Sequence, residues 1–419
     1  MRFQNIQSRR HSLKYQMLII LLSAVVPYAI RLLFISQDQP SLNGLHLTLA
    51  AGLLGGVLSV FAIRNIEQYP GVESVSSVLS LTSLIYCGLV VVFLIGRIDY
   101  VRGVLIGNYL LCVGLLFAEQ FSGSQRRQLR IAIVESKSAK PFQAPNIEWI
   151  IVSDPDTLIE NIDALTVDLR ADLPEAWERR ITNIALAGIP VYHIKHLRES
   201  VTGMVELEHL AETSYGTLSP PYLYILLKRA IDMIVAAIAL ILFCPVMLAV
   251  ALIVRLDSPG PAIFRQKRIG FRGHPFIVRK FRTMQVAQAD GDSRSAAMTR
   301  TDDVRITRVG AFLRKSRLDE LPQLINILRG EMSLIGPRPE AAVLSAWYED
   351  EIPLYRYRHI VMPGVTGWAQ VNQGHVTNVE DVKAKLHYDF YYIKHLSPWI
   401  DMLIALRTVL TMISGHGAR

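Results

Sequence analysis

The sequence predicts a three-part membrane protein. An α-helical bundle fills residues 1–120, a small α/β Rossmann-like layer fills 121–219, and an α-rich part over 220–419 rests on a re-entrant helix at 230–254. Three observations predict this. Four apolar stretches of near-membrane length open the chain, short strand-like runs alternate with an amphipathic helix in the middle, and a further apolar run carries cations at both ends. With 51% hydrophobic and 19% charged side chains, the 419 residues exclude a disordered chain. Cys87, Cys112 and Cys244 lie inside apolar runs with no metal-ligand spacing, so they read as small buried hydrophobes.

The four stretches lie at about 15–36, 43–63, 74–96 and 103–119. Each approaches the ~20 residues that cover a ~30 Å hydrocarbon layer at ~1.5 Å per residue. Arg31 falls near one end of the first, where its long stem snorkels. Three more spans follow closely and no small-residue cleavage site stands out, so the first is a span and not a signal peptide. Arg2, Arg9, Arg10 and Lys14 precede the bundle, Arg64 sits in its second loop, and Arg126, Arg127 and Arg130 follow it. The alternate loops hold only Arg97 and Arg102, so the positive-inside rule places the N-terminus and residue 120 onward in the cytoplasm.

In the middle part, Leu129–Val134, Trp149–Val152, Ala164–Val167 and Ile189–Ile194 read as short buried strands, with an amphipathic helix over Pro174–Ala187. A nucleotide site would need a glycine-rich turn after the first strand. Glu135-Ser136-Lys137-Ser138 stands there instead, so this part is expected to be structural or regulatory and without a bound nucleotide.

Ala230–Val254 is long enough to be a fifth span. Lys228 and Arg229 precede it, however, and Arg255, Arg265, Lys267, Arg268 and Arg272 follow, so both ends ask for the cytoplasmic side. Pro245 removes a backbone donor inside the run and favours a kink, splitting it into pieces too short to cross alone. The expectation is a helix-break-helix that dips into the inner leaflet and returns.

The net charge of +8 is local. Residues 255–340 carry 17 Lys/Arg against 9 Asp/Glu, whereas 121–219 carry 10 against 14. A basic segment beside a membrane faces phosphate, on lipid headgroups or on a nucleotide. Within it, Asp257-Ser258-Pro259-Gly260-Pro261 is a stiff turn, and Phe264–Gln266, Arg268–Gly270 and Lys280–Met284 alternate cations with apolar residues, as half-buried strands or interfacial segments do. Asp319 and Glu320 have a plain reading as the acidic first turn of a helix that tolerates Pro322. That reading leaves the cluster of Arg314, Lys315 and Arg317 unexplained. Adjacent carboxylates among cations suit phosphoryl chemistry with a divalent ion, one oxygen attacking phosphorus while its neighbour helps hold Mg²⁺. Arg338 is flanked by Pro337 and Pro339, which fix the local backbone and preorganise its guanidinium for phosphate.

These motifs occur in an order that resembles a known family. Lys228-Arg229-Ala230-Ile231-Asp232, Ser258-Pro259-Gly260-Pro261, Lys280-Phe281-Arg282-Thr283-Met284, Leu318-Asp319-Glu320-Leu321-Pro322-Gln323, Met332 to Pro339 and Pro363-Gly364-Val365-Thr366-Gly367-Trp368 are similar to the bacterial sugar transferases, or polyprenyl-phosphate hexose-1-phosphate transferases, over roughly 222–415. The N-terminal spans and α/β part look like the large multi-domain members. The resemblance implies a monotopic catalytic domain on a re-entrant helix and a multi-pass protein of the bacterial inner membrane. It also implies transfer of a hexose-1-phosphate from a UDP-sugar donor to undecaprenyl phosphate, releasing UMP, with Mg²⁺, as the first membrane step of exopolysaccharide, capsule or O-antigen synthesis. By the same resemblance Asp319 is the nucleophile that forms a phospho-sugar intermediate, and Glu320 its metal-binding partner. Lys280, Arg282, Arg314 and Arg338 would surround the phosphates, and Asp389, in His387-Tyr388-Asp389-Phe390-Tyr391-Tyr392, would join the substrate site. Cys244 departs from the Ser-Pro pair common at the family's helix break.

Two other functions are weighed against this one: a glycosyltransferase that releases UDP, and an inert scaffold of polysaccharide assembly. Product analysis separates the first, and the intact Asp319-Glu320 pair argues against the second. His274, His359, His375 and His387 are scattered and read as packing residues, not a metal set. Trp368, Tyr388, Tyr391 and Tyr392 suit either uracil stacking or interfacial anchoring. Leu396–Ser414 reads as an amphipathic helix on inner-membrane lipid. The bundle and cytoplasmic part offer surfaces for a homodimer, and nothing points to nucleic acid.

Overall fold

A computed structural model describes residues 13–33, 42–66, 74–123, 129–136, 140–142, 144, 147–157, 161–206, 221–285, 305–373 and 379–414. The expected flanking cations Arg2, Arg9, Arg10, Arg126 and Arg127, the Lys137-Ser138 turn and His375 lie outside the described residues. The chain divides into two units, Met1–Gly203 and Met204–Arg419.

In the first unit, α1 (Leu13–Leu33), α2 (Leu42–Ile66), α3 (Ser74–Ile95) and α4 (Arg102–Gly123) form the apolar helices expected from the sequence. Successive helices pack together and α1 packs against α4. Leucines, valines and isoleucines such as Leu54, Val92 and Leu110 cover the outside, while polar groups pair inside. The Tyr86 hydroxyl bonds to Asn108 Oδ1, and Ser83 Oγ lies 2.8 Å from the Tyr109 hydroxyl. Without water in hydrocarbon, such pairs spare these atoms the cost of standing unmatched. Gly52 permits the close approach that this needs, because a Cβ there would stand 2.0 Å from Asn108 Nδ2.

The same unit contains a four-stranded parallel sheet of β1 (Leu129–Val134), β2 (Ile147–Val152), β3 (Ala164–Val167) and β4 (Val191–His193), in the order β2-β1-β3-β4. Helix α5 (Glu175–Leu186) sets Trp177 and Ile184 against Ala132, Val134, Leu165 and Val167 on one face. On the other, Leu197 of α6 (Ile194–Thr202) packs against Leu129, Ile131 and Ala164. Burial on both faces explains the near-continuous apolar runs of these strands.

The second unit opens with α7 (Tyr222–Asp257), one continuous helix of 36 residues. This differs from the expected break at Cys244-Pro245: the helical assignment runs through Pro245. At ~1.5 Å per residue such a helix is about 54 Å long. It packs on its own unit in two places, one near its middle and one near its C-terminal end. Ala236 and its neighbours Ala239 and Leu240 meet Val278, Leu324, Ile327 and Met332, while Val250 and Val254 meet Ala262, Phe281 and Leu313. Between them Ile241, Leu242 and Leu248 are exposed, with Cys244, contrary to the reading of that cysteine as buried. Among the described residues, α7 and the four bundle helices are long and apolar enough to cross a membrane.

The alternating basic segments form an antiparallel hairpin of β5 (Ile263–Ile269) and β6 (Pro275–Phe281). Helix α8 (Arg308–Lys315) leads to a 3₁₀ turn at Leu318–Glu320 and then to α9 (Gln323–Leu328). Asn326 ties α9 to the hairpin, accepting from Arg279 N at 3.2 Å and donating to Ile277 O at 2.7 Å. Strand β7 (Ser333–Ile335) pairs in parallel with β8 (Gly364–Thr366), and α10 (Ala342–Glu351), α11 (Trp368–Asn372), α12 (Val379–Lys394) and α13 (Pro398–Ser414) complete the unit. In α13, Ile400, Leu403 and Ile404 are buried, so the first half of this helix is core and the exposed Val409, Leu410 and Met412 lie towards its end.

Candidate active site

The site grows from three short pieces of backbone. The first is the 3₁₀ turn that carries Asp319 and Glu320, so these acids precede the helix at Gln323 and do not form its first turn as expected. Arg317 enters the turn with φ at 59°, a left-handed conformation that costs a β-carbon residue about 1 kcal/mol or more. The second is the end of β6, which delivers Lys280. The third is the segment after β7, which delivers Arg338. A Cβ at Gly336 would stand 2.3 Å from Met362 O, so only glycine lets this segment lie against the chain leading into β8.

These pieces bring the charges together on Glu320. Its Oε1 accepts from Arg338 Nη2 at 2.8 Å and Lys280 Nζ at 3.0 Å, with Arg317 Nη1 at 3.7 Å. Glu320 is 9% exposed. Burial opposes its charge, but Arg338 and Lys280 outweigh that and hold the carboxyl well below the usual range. Burial, with Arg338 adding repulsion, pushes the Lys280 ammonium down to about 8. The neighbouring Asp319 differs in kind. It is 8% exposed, and its Oδ1 has no hydrogen-bond partner. Burial first, and then the charge of Glu320, raise its pKa. One acid is therefore clamped and the other presents an unpartnered oxygen. Arg314, which lowers the Asp319 pKa in part, donates from Nε to Thr283 Oγ1 at 2.9 Å.

Two expected site residues do other work here. Arg282 is buried and donates to the carbonyls of Val254, Ser258 and Pro259 and to Ser258 Oγ, so it closes the C-terminal end of α7. Both of its terminal nitrogens are engaged, by a last-turn carbonyl that the helix leaves unpaired and by the turn that follows it. Asp389 is 1% exposed and accepts from Arg358 Nη2 at 2.8 Å and Nε at 3.1 Å, so its carboxylate is engaged by Arg358 and not by the cations around Glu320. The aromatic expectation changes too: Trp368, Tyr391 and Tyr392 are buried, with Trp368 stacked on Tyr391 at 5.6 Å. The sequence reading missed Arg358 and Lys385. Lys385 pairs with Glu340, and neither cation stands in a motif that would single it out.

No group of three His, Cys, Asp or Glu side chains that could hold a metal occurs among the described residues. Mg²⁺ needs less protein than that, because one or two carboxylates plus substrate phosphates complete its shell. The unpartnered Asp319 Oδ1 beside Glu320 fits that mode.

Comparison with known proteins gives this geometry a context. A model described as bacterial sugar transferase matches residues 223–415. The chain is 40% identical over 373 residues to a UDP-N-acetylgalactosamine-undecaprenyl-phosphate N-acetylgalactosaminephosphotransferase of Aeromonas hydrophila, covering 87% of this chain and 88% of that protein. It is 45% identical over 186 residues to the UDP-glucose:undecaprenyl-phosphate glucose-1-phosphate transferase of Escherichia coli (strain K12), covering 44% of this chain and 39% of that one. A Caulobacter vibrioides protein of the same name is 44% identical over 193 residues, or 46% of this chain and 71% of its own. Matched along nearly its whole length by one of these relatives, the chain belongs to the bacterial sugar transferase family.

Proposed function

We propose that the chain transfers a sugar-1-phosphate from a UDP-sugar to undecaprenyl phosphate, releasing UMP and leaving a diphosphate-linked lipid. The observation that carries this reading is the convergence of Lys280, Arg338 and Arg317 on Glu320, next to the unpartnered oxygen of Asp319. An Asp319 carboxylate oxygen attacks the sugar-bearing phosphorus, forming an acyl phosphate and breaking the bond to the bridging oxygen, which leaves with UMP. The acceptor's phosphate oxygen then attacks the same phosphorus and restores the carboxylate. Lys280 and Arg338 face the charge that develops on the diphosphate, where fixed cations in a water-poor site lower the barrier. Magnesium would be held by Asp319 and Glu320 and would neutralise phosphate charge when bound.

The lipid acceptor calls for a site at the membrane surface. Both ends of α7 pack on one unit: Asp232 accepts from Ser333 Oγ at 2.6 Å near one end, and Arg282 caps the other. A helix crossing the bilayer would carry one of those ends to the far side, so this supports a re-entrant course with exposed Ile241, Leu242 and Leu248 in the hydrocarbon. The cation bias of the loops supports the cytoplasmic face of the inner membrane. A relative that matches 87% of this chain is named for UDP-N-acetylgalactosamine, so that donor leads and UDP-glucose follows.

The test is incubation of the purified full chain with each UDP-sugar, Mg²⁺ and undecaprenyl phosphate. UMP with a diphosphate-linked lipid is expected. Release of UDP would make the chain a glycosyltransferase, and no turnover with any donor would favour the scaffold.

A further inference from the structure

Arg338 sits between two prolines that have no N–H to donate, so its segment is held through carbonyls. Each of the four consecutive carbonyls has its own donor. Pro337 O accepts from Gly364 N at 3.0 Å, and Glu340 O from Ile269 N at 3.2 Å. Pro339 O accepts from Arg268 Nη1, and Arg338 O from Arg358 Nη2 at 2.9 Å. Arg358 is the donor to the main-chain carbonyl of the residue whose guanidinium meets Glu320. It is itself braced by three bonds to two partners, Asp389 Oδ2 at 2.8 and 3.1 Å and the Tyr355 hydroxyl at 2.7 Å. The Arg358 and Asp389 side chains are only 3% and 2% exposed.

A buried ion pair is a poor source of stability, because desolvation offsets most of the attraction. It does fix geometry, since neither partner can leave without stranding the other's charge. We propose that Arg358, braced by Asp389, is a positioning residue for Arg338. It holds the main chain from which the phosphate-facing guanidinium projects, and neither Arg358 nor Asp389 touches the donor. This inference rests on the reading of Arg338 as a phosphate ligand.

The test uses the full chain with Asp389→Asn, Arg358→Lys and Tyr355→Phe, each alone and combined with Arg338→Ala. The first two are expected to lower UMP release about 10- to 100-fold, the range for groups that support a reacting residue, and Tyr355→Phe less. In the Arg338→Ala background the same changes are expected to cost less than about 3-fold, because there is no guanidinium left to place. Equal losses in both backgrounds would overturn the proposal and leave a merely structural ion pair. Amide exchange gives a reading that does not need turnover. Faster exchange confined to residues 333–341 in Asp389→Asn is expected, and unchanged exchange there would equally overturn the proposal. Failure of the wild-type chain to release UMP would instead sink the functional reading, while exchange still decides the positioning role.

Discussion

The parallel sheet over 129–193 and the 3₁₀ turn at 318–320 both present acids at the ends of regular structure, with opposite consequences. At the carboxyl ends of β3 and β4, the usual ligand position in an open α/β sheet, Asp168 meets His193 at 3.5 Å and accepts from Arg170 N at 3.0 Å. Burial keeps His193 below its ordinary pKa, and the Asp168 carboxylate is turned onto the backbone of its own loop. At the turn, cations from separate elements close on one carboxylate while the adjacent acid keeps an unpartnered oxygen. Sheet architecture alone does not make a reactive site. Convergent charge from pieces far apart in sequence does.

The largest effect is expected at Asp319. Asp319→Asn keeps the shape and removes the nucleophile, and turnover is expected to fall by about 10³-fold or more in a UMP-release assay. Residual turnover near wild type would place the chemistry elsewhere. Arg338→Ala and Lys280→Ala each remove one cation from the diphosphate and are expected to cost about 10²-fold. The pH profile tests the same clamp. With Lys280 at about 8, kcat/KM for the donor is expected to fall above that pH as the ammonium deprotonates, and to fall on the acid side as the Asp319 nucleophile, whose pKa is raised, takes up a proton. A limb near the ordinary lysine value of 10.5 would mean that Lys280 is not desolvated. Arg282→Ala should act on stability, losing roughly 1–3 kcal/mol in denaturant unfolding as the α7 carbonyls lose their donor. Smallest of all, Asp168→Asn keeps its acceptor and is expected to change turnover less than about 3-fold. A large loss there would erase the contrast between the two regions.

Much of this was legible in the sequence because it depends on local pattern. Hydropathy marked α1 to α4 within a few residues, and apolar runs marked the four strands of the sheet. Asp319, Glu320 and Arg338 stood out because adjacent acids and proline-flanked arginines are chemically unusual, whereas Lys280 was marked by the family resemblance alone. What stayed hidden is non-local. Arg282 and Arg338 were both expected at the phosphates, yet one caps a helix ending 25 residues earlier and the other meets Glu320. Arg358 lies in Tyr355-Arg356-Tyr357-Arg358-His359, which reads as a surface run until Asp389 is brought against it. Pro245 likewise predicts a break that the helical assignment does not contain, because one missing N–H leaves the remaining helical hydrogen bonds in place.

The central claim is a covalent role for Asp319, and one measurement addresses it directly. The full chain is treated with the UDP-sugar that supports turnover, without undecaprenyl phosphate, then quenched and mapped by mass spectrometry of its peptides. A sugar-phosphate adduct on Asp319, absent from Asp319→Asn and discharged by undecaprenyl phosphate, is the predicted result. Full turnover with no adduct on that side chain at any quench time would contradict it.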